Sequence, residues 1–504
     1  MLGYDDQLQS SSTQSVNFDI LSKMENSPYY QAGVSGHGSY PAGQFAWDPY
    51  IDGSLQPVIE TLHRYGSGYA NATYTYDDRY NIFGSFRKDY ADIYGLNTKY
   101  RGRPLWSVGA GWLIHNEAFM KDVKWVDFLK LRFSYGVTGN IYQGATSYMT
   151  ATSSDVNEIN NLPYGKIQSP ANPNLRWEKS ITTNIGIDFS FFNNRLRGAL
   201  DYYNKVGKDI FAQRQIDPTS GFTSMVVNTA SMKNNGVELS LTYDWFRAPS
   251  REAFAWTTNF TFAYNKNKVT DVENPALNAW QLINNPYKTG YPTSALWSYQ
   301  FAGISGEAGI EGMTLYYIEP GEDGTPTTTT APSGRSTSVL IYSGQSEPKV
   351  VMGMDNSFRW KGFSLSILMA YYGGHKMRAI PFDETFAFSY SPVASYFLDA
   401  WDAETNPNSD IPGVGRYAST AIGSETRFAD RLVYNASFLK IRNIVLGYDL
   451  PNEWIRHLGM NRVGIRFQID NPKALWTANK VNVDPETLGL RLPSSFIFGL
   501  NVNF

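Results

Sequence analysis

The chain has 504 residues, a formal net charge of −3 and no cysteine, and its isoelectric point is about 6.0. The lack of a basic surplus and of nucleic-acid-binding motifs excludes nucleic-acid partners, and the lack of thiols excludes disulfides, thiolate catalysis and cysteine-ligated metals. No run of about 18 apolar residues occurs, so a transmembrane helix is also excluded. Aromatic residues make up 15% of the chain, which suits a membrane barrel with aromatic girdles at its two interfaces.

The N-terminal residues do not have the pattern of a secretion signal. The segment MLGYDDQLQSSS lacks a charged region followed by an apolar region and a cleavage site. Either the mature protein begins upstream of this sequence or the protein is cytoplasmic. We favour the first interpretation and expect an N-terminal signal to lie outside the sequence.

Segments in which apolar and polar residues alternate recur along the chain and predict β-strands with one apolar face. In chain order, their apolar members are Leu129, Leu131, Phe133, Tyr135 and Val137; Ile181, Ile185, Ile187, Phe189 and Phe191; Val237, Leu239, Leu241, Tyr243 and Trp245; Trp256, Phe260, Phe262 and Tyr264; and Phe363, Leu365, Ile367, Met369 and Tyr371. The alternation changes phase between Ile441 and Ile444, which predicts a bulge near Asn443.

The opposite face of these strands is polar and includes Asp188, Asp201, Glu238 and Asp244. Such groups need water, which a wide barrel lumen supplies and a dry sandwich core does not. The sequence therefore predicts an all-β fold, a transmembrane antiparallel β-barrel in which the acidic residues line the lumen and take no part in acid–base chemistry.

Short and long connections are expected to alternate. Short links are predicted near residues 77–79, 118–127, 193–194, 247–253, 361–362 and 451–462, and long links near 89–102, 140–178, 208–231, 271–346, 375–434 and 476–494. Membrane barrels keep short turns on the periplasmic side and long loops outside. This parity requires residues 271–346 to form one excursion, so SALWSYQFAGI at 294–304 is not expected to span. About thirteen strands remain, plus one near residues 14–22, which gives about 14 in all.

The last ten residues, SFIFGLNVNF, have the clearest strand pattern. Phe496, Phe498, Leu500, Val502 and Phe504 project to one side of the predicted strand. A strand that ends on an aromatic C-terminal residue is typical of the closing strand of an outer-membrane barrel. We expect these five residues to form the signal that barrel-assembly machinery recognises.

Catalytic and metal-binding patterns have little support in the sequence. The five histidines show no metal-ligand spacing, and neither GxSxG nor GxxxxGK[ST] occurs. The segment DAETNPNSD at 402–410 does not meet the calcium-loop pattern, so a solvated loop is the better interpretation. We expect no enzymatic activity and no cofactor.

Aromatic residues in the predicted long loops are the candidate substrate contacts, because an aromatic face with a polar group suits recognition of sugars or peptides. The alternative is that they pack loop against loop, which for any single residue is favoured. The candidates are Trp280, Trp297, Tyr299, Tyr316, Tyr317, Tyr390 and Trp401.

Several segments resemble the SusC/RagA family of TonB-dependent outer-membrane transporters. They include FLKLRFSYGVTGN at 128–140, MKNNGVELSL at 232–241, WDAETNPNSDIP at 401–412 and NASFLKIRNIVLGYDLP at 435–451. The resemblance covers residues 70–504 in the family's order. It implies the family's fold, a barrel of about 22 strands filled by an N-terminal plug.

The signal, the TonB-contacting segment and the plug are not found in this sequence, so residues 1–504 are expected to be the C-terminal portion of such a barrel, without its early strands. The resemblance implies a multi-pass protein of a Bacteroidetes-like Gram-negative outer membrane. It also implies uptake of glycans or oligopeptides, a SusD-like surface lipoprotein as partner, and energy from the TonB complex.

Two alternatives stay open at this stage. A passive porin or a surface adhesin would account for the missing plug. A soluble all-β carbohydrate-active enzyme would require the apolar faces to pack on each other and a cleft with paired carboxylates.

Overall fold

The computed structural model describes residues 65–91, 100, 102–142, 146–156, 159, 163–273, 275–321, 325–379, 399–413, 425–481, 483–489 and 491–503. The predicted strand near residues 14–22 lies outside these ranges. Among the described residues, no helix is both long and apolar enough to cross a membrane.

Thirteen long strands follow one another in a single sheet, and β22 pairs with β20 beside them. In pairing order they are β1 (Tyr65–Tyr76), β2 (Tyr80–Ala91), β3 (Gly102–Leu113), β4 (Val126–Asn140), β7 (Glu178–Phe191), β8 (Leu196–Gln215), β9 (Ser224–Phe246), β10 (Ala255–Val272), β16 (Val350–Trp360), β17 (Phe363–Gly373), β20 (Phe438–Asp449), β21 (Arg462–Asp470) and β23 (Ser495–Asn503). From β3 to β23, neighbouring strands of this order pair antiparallel. The all-β antiparallel fold is thus confirmed.

The remaining elements are short. The strands are β5 (Thr150–Val156), β6 (Pro163–Ser169), β11 (Ala295–Tyr299), β12 (Phe301–Ile304), β13 (Thr314–Ile318), β14 (Thr327–Thr329), β15 (Leu340–Gln345), β18 (Lys376–Arg378), β19 (Val433–Asn435) and β22 (Trp476–Thr477), and the α-helices are α1 (Ala279–Asn284) and α2 (Asn452–Ile455). The chain forms two compact units. The first includes residues 146–176 with the β5–β6 hairpin, and the second comprises Asn71–Phe86, Leu105–Tyr142 and Trp177–Phe504.

Cross-strand pairing joins the apolar residues of the second unit into one continuous apolar face. One row of directly opposed residues crosses nine strands and consists of Trp112, Leu131, Ile187, Leu200, Leu239, Phe262, Met352, Tyr371 and Leu439. The strand period of two sends the intervening residues to the opposite, polar face. Every apolar set predicted from the alternation lies on this apolar face.

Aromatic rings gather on the apolar face at the end where the short links lie. Trp256 stacks between Trp245 and Phe358 at centroid distances of 4.9 and 5.4 Å, and Phe363 lies 4.3 Å from Tyr448. From Trp256 to Tyr264 the strand advances about 27 Å. With the usual strand tilt of about 40°, this advance spans about 21 Å along the membrane normal, which is most of the roughly 25 Å apolar band of an outer-membrane barrel.

The predicted links agree with the structure except in one case. Short links join β1–β2, β3–β4, β7–β8, β9–β10, β16–β17 and β20–β21, and β10 pairs directly with β16, so residues 273–349 form one excursion. SALWSYQFAGI lies in β11 and β12, outside the thirteen-strand sheet. The predicted bulge is at Arg442, where the β17–β20 register shifts.

The predicted long link at 208–231 was wrong. β8 and β9 stay paired up to Gln215 and Ser224, well inside the predicted link, so only residues 216–223 connect the two strands. Register shifts after Gly207 absorb Asp209, a residue with φ of 58°, which interrupts the alternation and hides the strand in the sequence.

Arginine placed on the apolar face should destabilise the sheet in a membrane. We expect Leu241→Arg or Phe262→Arg in the full-length protein to lower the free energy of unfolding by about 2 to 4 kcal/mol if the site is near the midplane, because a cation is poorly solvated by lipid. Urea titration in bilayers, followed by heat-modifiable gel migration, measures this. Ser240→Arg and Thr261→Arg, on the polar face, are the matched controls. Equal damage on both faces would contradict the assignment.

Candidate functional site

Two long excursions leave the sheet at the same end. One connects β10 to β16 and the other, residues 374–437, connects β17 to β20. Their described residues pack into what we call the loop assembly. Its buried core consists of Ala279, Leu282, Ala295, Trp297, Tyr299, Tyr316, Val339, Leu340 and Ala429. Both excursions contribute to this list, so they fold together.

The second excursion docks onto the first along β11. The Tyr299 amide donates to the Phe428 carbonyl at 3.1 Å, and the Phe301 amide donates to Asp430 Oδ1 at 3.0 Å. The ring of Phe428 meets Trp280 edge-on at 5.9 Å. Backbone and ring contacts thus fix residues 425–432 against β11, β12 and α1.

Arg378 ties the same two segments together. Its guanidinium donates to the carbonyl oxygens of Trp297 at 2.8 Å and of Arg427 at 3.1 Å. It also lies within 3.3 Å of Ser298 Oγ. Burial lowers the pKa of Arg378 to about 10, so the side chain stays charged at neutral pH. Removing it would take a donor from the part-buried Trp297 carbonyl and break the link between the two segments.

A second docking point involves Trp401. The Gly413 amide donates to the Gly312 carbonyl at 2.9 Å. Gly312 has φ of 80°, and a Cβ there would lie 3.2 Å from the Trp401 ring. Only glycine combines this backbone conformation with such a close approach. Trp401 is therefore packed between excursions, at half burial.

The structure separates the predicted loop aromatics into two groups. Trp297, Tyr299 and Tyr316 are buried in the core of the loop assembly, so their rings are unavailable to a substrate while this arrangement lasts. Trp280 and Tyr317 are each 38% exposed. Tyr390 lies outside the described residues. An excursion of this length needs an apolar core of its own, and three aromatic residues supply the largest side chains of that core.

The DAETNPNSD segment is organised by a turn. Asp402 Oδ1 accepts hydrogen bonds from the amides of Glu404 and Thr405 at 3.0 and 2.8 Å. These bonds lower the pKa of Asp402. Within the described ranges no group of three or more histidine or acidic residues could hold a metal ion. Asp402 has the geometry of an Asx-turn residue.

Charge pairs cross the polar face of the sheet. Arg132 forms a two-bond contact with Asp188 at 2.7 and 2.8 Å and also reaches Asp201 at 3.0 Å. Gly186 lies between these groups, and a Cβ there would approach Asp201 Oδ1 to 2.4 Å. Asp244 accepts from Arg197 and Arg247 at 3.0 and 3.1 Å.

A further charge cluster connects β20 to the segment before β23. Lys440 Nζ lies 2.7 Å from Asp484 and 2.9 Å from Glu486, which also binds Arg442 at 2.7 Å. The sequence alone did not indicate these networks. Opposite charges on one face of neighbouring strands were the available signal, but using it requires the strand register.

The C-terminal strand is placed as the alternation predicted. Phe496, Phe498, Leu500 and Val502 pair with the apolar residues of β21, and Phe498 is 72% exposed on that face. Phe504 lies outside the described residues. Their expected role as an assembly signal stays a prediction.

Known proteins are similar to this chain in both their sheet and their sequence. The profile of a family described as "TonB dependent receptor-like, beta-barrel" matches residues 3–504. The chain belongs to this TonB-dependent receptor family. The resemblance inferred from sequence segments is confirmed, because the family profile, the relative SusC and the RagAB structure all match the chain.

Relatives of this TonB-dependent receptor chain include TonB-dependent receptor SusC of Bacteroides thetaiotaomicron, 26% identical over 87% of the chain and 43% of the relative. TonB-dependent receptor P3 of Formosa agariphila is 25% identical over 83% of the chain and 42% of the relative. The structure of the RagAB peptide transporter aligns with a TM-score of 0.70 and 26% identity. The alignment covers 90% of the present chain and 49% of the matched chain in that structure. The chain therefore spans less than half the length of these relatives. Both curated relatives are named as receptors, not enzymes.

One acidic side chain is sealed inside the loop assembly of this receptor. Glu425 is 3% exposed, and its Oε1 accepts from the Ser333 amide at 3.3 Å. Among the described residues, neither Glu425 Oε2 nor the neighbouring Tyr299 hydroxyl has a hydrogen-bond partner. Burial raises the pKa of Glu425 and, together with the charge of that carboxylate, the pKa of Tyr299.

Glu425 should weaken the loop assembly as pH rises. Because its folded pKa exceeds its unfolded value, the folded state keeps a proton that the unfolded state has lost, and stability falls between these values. We expect Glu425→Gln to slow amide exchange at Tyr299 and Phe301 severalfold at pH 8, with no difference near pH 4. Exposed Glu404→Gln is the control. A gain that is equal at both pH values would contradict this assignment.

Proposed function

We propose that the protein containing this chain is an outer-membrane importer energised through TonB. The observation that carries the proposal is the family match over nearly the whole chain, together with a folded loop assembly built from the two longest excursions. Curated relatives named TonB-dependent receptors support the same class.

In this proposal the short links face the periplasm and the loop assembly faces outward. Barrels of outer membranes have short periplasmic turns and longer extracellular loops. Six short links lie at one end of the strands, and both long excursions leave from the other. The polar face, with Arg132 and its two carboxylates, then lines the lumen.

The proposed cargo is an oligopeptide or a glycan, captured with a SusD-like surface lipoprotein in a Bacteroidetes-type outer membrane. The likeness to a structure named as a peptide transporter favours a peptide as the cargo. The similarity to SusC leaves a glycan as the alternative cargo. The TonB complex would act through the rest of the full-length protein. No covalent chemistry is required of the chain.

Trp280 and Tyr317 are the proposed substrate contacts. Both lie in the first excursion and keep about two-fifths of their surface exposed, 38% each. Exposed aromatic faces can stack on sugar rings or peptide side chains. Tyr390 stays a candidate from the sequence alone.

Uptake should depend on both energy and these rings. We expect cells with the full-length protein to accumulate a fluorescent oligopeptide or oligosaccharide. This accumulation should stop when the proton gradient is collapsed. Trp280→Ala/Tyr317→Ala should raise the half-saturating concentration by roughly tenfold, as expected for two lost aromatic contacts. Trp454→Ala, in the short link between β20 and β21, is the exposed control. Uptake that is independent of the gradient would favour a passive porin, and binding without uptake an adhesin.

Assembly should depend on the last residue. Deleting Phe504 from the full-length protein removes one apolar side chain, worth about 1.5 to 3 kcal/mol in burial, which a large barrel would tolerate. We nevertheless expect a sharp fall in the folded amount in the outer membrane, because the aromatic terminus is proposed as a recognition signal. Heat-modifiable protein in outer-membrane fractions measures this. Normal levels would contradict the signal.

A further inference from the structure

Five lysines gather on the apolar face of four neighbouring strands, beyond the apolar band and toward the long excursions. Lys179 of β7 is directly opposite Lys208 of β8, and Lys233 of β9 is directly opposite Lys268 of β10. Lys266 precedes Lys268 on the same face of β10. We call these five residues the lysine cluster.

The register places the lysine cluster just past a row that contains two tyrosines and a valine. Tyr202, Val237 and Tyr264 are directly opposed across β8, β9 and β10. Along β10, Lys266 and Lys268 follow Tyr264 by two and four residues, or about 7 and 14 Å. Tyrosines at the edge of an apolar band mark the membrane interface. The ammonium groups therefore lie at the level of lipid headgroups, with their aliphatic stems toward the apolar band.

The lysine cluster is not neutralised within the described part of the chain. None of its members forms an ion pair there, although Arg132 and Lys440 each have two carboxylate partners elsewhere in the sheet. Lys208, Lys266 and Lys268 are exposed. Like charges directly opposite each other destabilise a sheet, and here two such pairs lie side by side. A counter-charge from outside the chain would relieve both.

Most carboxylates of the same strands lie on the polar face. Glu178 and Glu238 are examples, and they are out of reach of the lysine cluster. Asp209 occurs at the register shift where β8 leaves regular pairing with β9. Asp271 is directly opposite Ser231 past the shift in β10, so it lies on the same face as Lys233. It forms no ion pair with the lysine cluster within the described part of the chain.

We propose that the lysine cluster binds the phosphate groups of a lipid in the outer leaflet of the membrane. Lysine binds phosphate as a point charge, and basic clusters at a membrane surface recognise anionic headgroups. Four strands at about 4.8 Å spacing give a patch about 14 Å wide, comparable to a headgroup with more than one phosphate. The inference rests on the proposed outward direction of the long excursions, and it is independent of the cargo.

The test uses the full-length protein in phosphatidylcholine nanodiscs, with lipopolysaccharide as the probe. Wild-type protein should bind phosphorylated lipopolysaccharide at least about tenfold more tightly than its dephosphorylated form, and added salt should reduce the difference. Lys233→Gln/Lys268→Gln should remove most of this preference. The matched control, Lys130→Gln/Lys205→Gln, neutralises two lysines on the polar face of β4 and β8 and should keep it.

Three results would overturn the proposal. The first is a preference for phosphorylated lipopolysaccharide that persists in Lys233→Gln/Lys268→Gln. The second is an equal loss of that preference in the polar-face control. The third is thermal stabilisation of the protein by inorganic phosphate alone that equals its stabilisation by the lipid. Heat-modifiable migration verifies that each variant is folded, and Lys179→Gln/Lys208→Gln provides a second pair if the first fails to fold. Uptake is measured separately, so failure of the import function leaves the lipid result interpretable.

Discussion

Backbone hydrogen bonding between strands is the constraint on which the rest of this structure depends. In a membrane, every amide and carbonyl of a spanning strand needs a partner from a neighbouring strand, because lipid offers none. Continuous antiparallel pairing satisfies this need and fixes the two faces at once. The row from Trp112 to Leu439 shows the result, since each pairing step places one apolar residue beside the next across nine strands. Side-chain chemistry on either face follows from that register.

Charged side chains are arranged differently on the two faces of the sheet. On the polar face, cations find carboxylates on neighbouring strands, as Arg132 does with Asp188 and Asp201. Gly186 leaves the space that this contact needs. On the apolar face of β7 to β10, cations lie together at the margin beyond Tyr264, without ion-pair partners in the described residues. Ion pairs on the polar face and cations kept to the margin of the apolar face are both expected of a sheet with water on one side and lipid on the other.

The long excursions form a small folded unit of their own. Their aromatic residues are divided between packing and exposure, and the buried members hold the two excursions together. Arg378 and residues 425–432 provide polar contacts at the same junction. Glu425 and Tyr299 are buried beside these contacts, and each has a side-chain oxygen that finds no hydrogen-bond partner among the described residues. The stability of the junction is therefore coupled to protonation. In the proposed importer, such a weakly satisfied core would favour local opening of the loops, since local opening is drawn from regions of low stability.

The sequence by itself determined the strand class, the faces, the positions of six short links and the single excursion between β10 and β16, because a period of two and turn composition are local properties. It also indicated the family through segments such as FLKLRFSYGVTGN. It failed at 208–231, where a bulge at Asp209 interrupts the alternation while pairing continues. Only the tertiary structure decided which loop aromatics are buried, which charges meet on the polar face and that Lys179, Lys208, Lys233 and Lys268 are neighbours. These facts depend on register and on contacts between residues far apart in the chain, which no local pattern encodes.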